Sequence, residues 1–132
     1  MSRIWVVDDD EEMLNAVRLM LTVLDHEAVT FFGARPVVRA LLDGGSPDLM
    51  LLDINMPEVT GLDLLEFLRR NPRTKELPLV MLSTESSDVM IDRARELGAD
   101  TYVSKPVTLE ELERAMDEAF RKRKKQSDFS KK

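Results

Sequence analysis

The chain of 132 residues contains no cysteine. That absence excludes a disulfide framework, a thiolate zinc site and a cysteine nucleophile together. It holds one histidine, His26, so an all-histidine metal centre is excluded as well. No apolar run approaches the roughly 20 residues that a membrane-spanning helix needs. The opening stretch MSRIWVVDDDEE turns acidic straight after its short apolar run and has no hydrophobic signal region, so a cytoplasmic location is expected. What is present suffices for folding. The length is that of one ordinary domain, and 43% hydrophobic residues can build a packed core.

Charge is unevenly spread. Residues 1–120 hold 12 Lys and Arg against 24 Asp and Glu, a net charge of −12, whereas residues 121–132 hold 7 against a single Asp, a net charge of +6. An acidic body repels nucleic acid, so no direct nucleic-acid binding is expected. The segment KRKKQSDFSKK reads as a basic, flexible tail over residues 122–132 behind a domain at 1–121. A solubilising helix end explains it, since cations suit a helix C-terminus. Contact with an acidic partner is the sharper alternative.

Strand and helix patterns alternate five times. Ile4-Trp5-Val6-Val7, Leu49-Met50-Leu51-Leu52 and Leu79-Val80-Met81-Leu82 are continuous apolar runs, as expected for strands covered on both faces. Ala28–Phe32 and Thr101-Tyr102-Val103 supply two more strands, rich in β-branched and aromatic residues. Between them, apolar residues recur at helical spacing, as in Met13, Val17, Leu21 and Leu24. Pro36 suits the first turn of a helix, Gly98 a helix stop, and Thr108–Glu111 a capping box. The alternation implies right-handed strand-helix-strand units and a doubly wound parallel α/β sheet.

The distinctive polar residues follow the strands. Asp8, Asp9 and Asp10 end the first, Asp53 the third, Ser83 and Thr84 the fourth, and Lys105 the fifth. In an open parallel sheet, ligands bind at the carboxyl ends of the strands, so these residues converge. Several carboxylates in one cleft repel one another unless a proton or cation intervenes. A hard divalent cation with oxygen ligands fits, and a lysine and a hydroxyl nearby complete the set that phosphoryl transfer to a carboxylate requires.

Taken in order, Val6-Val7-Asp8-Asp9-Asp10, Leu52-Asp53-Ile54-Asn55-Met56-Pro57 with Gly61, Ser83, and Tyr102-Val103-Ser104-Lys105-Pro106 closely resemble the receiver domain of two-component response regulators. The likeness covers residues 3 to about 121. It implies a flavodoxin-like fold with a five-stranded parallel sheet ordered 2-1-3-4-5. It implies that Asp53 accepts a phosphoryl group from the phosphohistidine of a sensor histidine kinase or a histidine phosphotransfer protein, as in a phosphorelay. Asp8, Asp9, Asp53 and the backbone carbonyl of Asn55 then hold Mg²⁺ or Mn²⁺. Lys105 pairs with the phosphoryl group, and the Lys105–Pro106 bond is cis. Ser83, 30 residues after Asp53 and 22 before Lys105, matches the family's hydroxyl switch, and Tyr102 its aromatic switch. Asp10 is expected as a helix cap. The resemblance makes the chain a phosphoacceptor signalling module, promoting only its own phosphorylation and dephosphorylation. Its output passes to an unknown downstream protein through the face of the fourth helix, fifth strand and fifth helix, roughly residues 87–120. It acts as a monomer or a phosphorylation-dependent dimer.

Thr60 and Val107 depart from the commonest family residues, and Thr60 is expected to cap the third helix. Asn55 and Glu85 occupy positions that tune phosphoryl lifetime in the family. Rival readings fit less well. A phosphatase of the haloacid dehalogenase type wants an acid two residues after its nucleophile, where this chain has Asn55. A flavodoxin-type FMN site wants a Ser/Thr/Gly-rich loop where this chain has three aspartates. A degenerate, unphosphorylated receiver is at odds with the complete set of Asp8, Asp9, Asp53 and Lys105. His26 is expected in a solvated loop away from the site, and the methionines as core filler.

Overall fold

The computed structural model describes residues 1–85 and 87–130, with side chains through Lys124. Ten elements alternate: β1 (Arg3–Asp8), α1 (Glu11–Val23), β2 (Glu27–Phe32), α2 (Ala34–Leu42), β3 (Leu49–Asp53), α3 (Gly61–Arg70), β4 (Leu79–Ser83), α4 (Asp88–Glu96), β5 (Thr101–Ser104) and α5 (Leu109–Ser130). The strands form one parallel sheet ordered β2-β1-β3-β4-β5. This is the flavodoxin-like topology expected from the sequence.

The central strands are the unalternating apolar runs. Every residue of β3 and β4 is buried, because helices cover both sides. Odd and even positions point to opposite faces. Ile4, Val6, Leu49, Leu51, Val80 and Leu82 pack under α1 and α5. Trp5, Val7, Met50, Leu52, Leu79 and Met81 pack under α2, α3 and α4. Each fully buried leucine or isoleucine contributes roughly 1.5–3 kcal/mol. Strand β2 lies at an edge and is half-buried along most of its length.

Helix ends follow local chemistry. Asp10 caps α1, accepting from the N–H groups of Glu12 and Met13. Thr60 caps α3 in a reciprocal box with Asp63. At α5 the Thr108 hydroxyl accepts from the Glu111 N–H at 3.2 Å, as expected, and also meets the Glu111 carboxylate at 3.1 Å. Pro36 sits in the first turn of α2. Gly98 ends α4 with φ +110°, a conformation that favours glycine. His26 lies between α1 and β2, half-buried rather than fully solvated, because its Nδ1 accepts from the Ser2 N–H at 3.3 Å.

The basic segment differs from a simple tail. Helix α5 continues past residue 121 to Ser130, while residues 131 and 132 lie outside the described residues. Two anchors hold its extension. Lys122 Nζ donates to the Asp100 carbonyl at 2.7 Å, and Arg123 Nε to the Asp100 carboxylate at 2.8 Å. Lysine and arginine are also good helix formers.

Candidate functional site

Parallel register aligns the carboxyl ends of the strands. Val7 pairs with Leu52, Asp53 with Leu82, and Ser83 with Ser104. Asp8, Asp53 and Ser83 are therefore the last residues of three adjacent strands, and Lys105 follows the last residue of a fourth. The order reverses between β1 and β3, which is the place where doubly wound sheets open a crevice.

Lys105 ties two strand ends together. Its Nζ lies 2.9 Å from Asp8 Oδ2 and 2.9 Å from Asp53 Oδ1. The second Asp8 oxygen accepts from the Asp10 N–H at 3.0 Å. Asp9 is exposed at the rim, and carboxylate oxygens of Asp8, Asp9 and Asp53 all lie within 4.8 Å of one another. The three aspartates and Lys105 thus meet where the sequence places them. The Lys105–Pro106 peptide bond is cis.

Electrostatics favour a cation. Asp53 is 3% exposed, and burial pushes its carboxyl up from 3.8 to about 6. The Lys105 hydrogen bond opposes that rise, and the charge of Asp8 adds to it. Burial alone pulls the Lys105 ammonium down, but its hydrogen bonds to Asp8 and Asp53 outweigh this and raise it above 10.5. One ammonium facing three carboxylates leaves negative charge uncompensated. The all-oxygen donor set fits a hard divalent ion such as Mg²⁺.

The remaining expected residues surround this centre. Ser83 is fully buried, and its Oγ accepts from the Glu85 N–H at 2.9 Å. Its carbonyl accepts from the Lys105 N–H at 2.8 Å, fixing lysine and serine to one another. Among the described residues the hydroxyl makes no hydrogen bond to Asp53. Tyr102 is half-buried, and its hydroxyl donates to the Glu85 carbonyl. Glu85 therefore joins both residues through its backbone, a link that residue identities do not reveal. Asn55 is exposed in the loop after β3.

Gly61 has a steric reason that sequence reading did not supply. A Cβ there would lie 2.0 Å from the Asp53 carbonyl oxygen, and the Gly61 N–H donates to Ile54 O at 2.8 Å. Helix α3 thus begins directly against the Asp53 backbone. Gly61→Ala should cost about 1–3 kcal/mol, since backbone rather than a flexible side chain must yield. Urea denaturation checks this, and an unchanged midpoint would refute the tight contact.

The fold and the site define a class, and comparison with known proteins agrees. Residues 4–117 match the family described as the response regulator receiver domain, and the chain belongs to that family. It is 34% identical over 114 residues to the transcriptional regulatory protein KdpE of Mycobacterium tuberculosis, covering 85% of this chain and 48% of that protein. It is 30% identical over 118 residues to the chemotaxis protein CheY of Pseudomonas aeruginosa, covering 89% and 95%. The chain thus spans about half the length of the transcriptional regulator and nearly all of the chemotaxis protein. Among solved structures, a response regulator receiver domain protein from Clostridium thermocellum superposes with a TM-score of 0.83 at 25% identity, covering 94% and 98%. The chain is a two-component signalling module, and among its described residues no helix is long and apolar enough to cross a membrane.

Proposed function

We propose that Asp53 accepts a phosphoryl group from the phosphohistidine of a sensor histidine kinase or histidine phosphotransfer protein. The observation that carries this reading is the meeting of Asp8, Asp9 and Asp53 oxygens within 4.8 Å, with Lys105 bridging two of them. One Asp53 oxygen accepts from Lys105, which leaves the other to attack phosphorus. As the new O–P bond forms, the P–N bond breaks and the imidazole nitrogen keeps the electron pair. Asp8, Asp9, Asp53 and the Asn55 backbone carbonyl would hold Mg²⁺ or Mn²⁺. A bound ion supplies positive charge that the phosphoryl oxygens share. Lys105 exchanges a carboxylate oxygen for a phosphoryl oxygen, and the Ser83 hydroxyl donates to another.

The switch follows from the same contacts. When Ser83 turns toward the phosphoryl group it releases the Glu85 N–H, and the Glu85 carbonyl no longer has to hold the Tyr102 hydroxyl. Two arrangements of the β4–α4 loop, biased by the new charge, then present different α4–β5–α5 faces to a downstream protein, over roughly residues 87–120. The receiver unit is residues 1–121. It acts in the cytoplasm without contacting nucleic acid directly, as a monomer or a phosphorylation-dependent dimer.

Incubation with acetyl phosphate, followed by intact-mass analysis, tests this. The wild-type chain should gain the phosphoryl mass only with Mg²⁺, and Asp53→Asn should gain none. Modification of Asp53→Asn to the wild-type extent would place the nucleophile elsewhere. Mg²⁺ at a hundred times its dissociation constant should also stabilise the fold by about 2.7 kcal/mol, because the folded state alone assembles the site. Thermal melts should show that gain in the wild type and its loss in Asp9→Ala. Equal gains in both would exclude Asp9 from the site.

A further inference from the structure

Helix α2 is chemically unlike the rest of this acidic protein. Its sequence, ARPVVRALL, holds Arg35 and Arg39 and no acidic residue, whereas α1, α3, α4 and α5 each carry at least two Asp or Glu. Its inner side is fixed in the core by Ala34, Val37 and Leu41. Among the described residues nothing covers its outer side. Leu42 is 78% exposed, and Val38 is only half-buried. These two residues, with Ala34 and Val59, line an apolar groove of about 370 Å³ that Arg35 and Arg39 border. Ala34, Arg35 and Val59 also line a neighbouring hollow of about 450 Å³ together with Phe32, Pro57, Glu58 and Asp9.

The charges bordering the groove favour an acidic occupant. Arg39 has no ion pair among the described residues. Arg35 pairs with Glu58 at 3.1 Å, but both side chains are well exposed, so that pair exchanges at little cost. An apolar strip flanked by arginines suits an amphipathic helix that carries Leu or Phe on one face and Glu or Asp beside it. We propose that the α2 groove, bounded by Arg35, Arg39, Leu42 and Val59, docks an acidic amphipathic helix of a partner protein. This surface lies apart from the α4–β5–α5 face, and it does not depend on the phosphoacceptor reading. An anionic membrane is the weaker occupant. Membrane insertion needs several projecting apolar side chains, and of the apolar residues lining this groove only Leu42 is well exposed.

Two synthetic helical peptides of about 18 residues test the proposal. Both place Leu and Phe at i, i+3, i+4 and i+7. One carries Glu at the flanking positions and the other Lys. They are titrated into the isotope-labelled full chain and followed by amide chemical shifts. The Glu peptide should perturb α2 and Val59, bind at least tenfold more tightly than the Lys peptide, and weaken with added salt. Arg35→Glu with Arg39→Glu should invert the preference, and Leu42→Ser should weaken both peptides at least fivefold. Thermal melts confirm that these exposed substitutions leave the fold intact. Equal affinity for the two peptides, shifts confined to another face, or no binding at millimolar peptide would each overturn the proposal. So would self-association lost on Leu42→Ser, which assigns the groove to a second copy. Flotation with phosphatidylglycerol vesicles in place of peptide binding would assign it to a membrane and would equally overturn it.

Discussion

Asp53→Asn is expected to stabilise the Mg²⁺-free protein by about 2 kcal/mol at pH 7.5 while removing all phosphoryl incorporation. The carboxyl group sits in a place that disfavours its charge. Burial, reinforced by Asp8, lifts it from 3.8 to about 6, although Lys105 pulls the other way. A rise of that size corresponds to roughly 3 kcal/mol. Asn keeps the shape but weakens the Lys105 hydrogen bond, which gives back about 1 kcal/mol. The pH dependence carries a definite sign. The folded state holds the Asp53 proton more tightly than the unfolded state, so this group favours folding at low pH. Its contribution falls as pH rises from about 4 to about 6 and is level above that. The advantage of Asp53→Asn should therefore appear across that window and shrink toward pH 4. Urea unfolding of both proteins in EDTA at pH 4.5 and 7.5 measures it. An Asn variant less stable than wild type at pH 7.5 would mean that the site is not electrostatically frustrated. Such frustration serves the proposed reaction, since a bound cation relieves it.

The second large effect lies at the opposite end of the sheet. Asp100→Ala should cost about 3–5 kcal/mol, because it strands buried charge. Asp100 Oδ2 accepts from the Leu79 N–H at 2.9 Å and from Arg69 Nη2 at 3.1 Å, and its Oδ1 accepts from Arg123 at 2.8 Å. Arg69 also reaches the carbonyls of Gly98 at 2.9 Å and Leu77 at 2.6 Å. Burial, followed by the nearby charge of Arg123, lowers the Arg69 guanidinium to about 10. Without Asp100, the buried Arg69 guanidinium loses its ion-pair partner at 3.1 Å, while Arg123 keeps Glu76 at 3.7 Å. Asp100→Asn should cost less, since it keeps an acceptor for Leu79. Urea denaturation gives both values. A loss below about 1 kcal/mol for Asp100→Ala would show that the network does not hold α3, β4 and α5 together. Phosphoryl incorporation by the folded variant should persist, because the site is at the far ends of the strands.

These two regions also show what the sequence discloses. The unalternating runs at residues 4–7, 49–52 and 79–82 are legible because burial on both faces leaves no room for polar residues. Asp10 and Thr60 are legible as caps because capping is local, acting within three residues. Asp8, Asp9, Asp53 and Lys105 are legible as neighbours because parallel strands bring their carboxyl ends to one edge. The Arg69–Asp100–Arg123 cluster is not. Its members are separated by 31 and 23 residues and come from different elements, with no repeat or motif to join them. The same limit hides the closeness of Gly61 to Asp53, since glycine marks turns and close approaches alike. It also hides the long-range anchors of Lys122 and Arg123 on Asp100, where composition suggests a solubilising helix end or a tail.

Anomalous diffraction from a crystal soaked in Mn²⁺ tests the central claim most directly. A single strong peak should stand within about 2.2 Å of oxygens from Asp8 or Asp9 and from Asp53, with the Asn55 carbonyl completing the shell. A crystal that binds Mn²⁺ elsewhere while these carboxylates stay apart or bare would contradict the account.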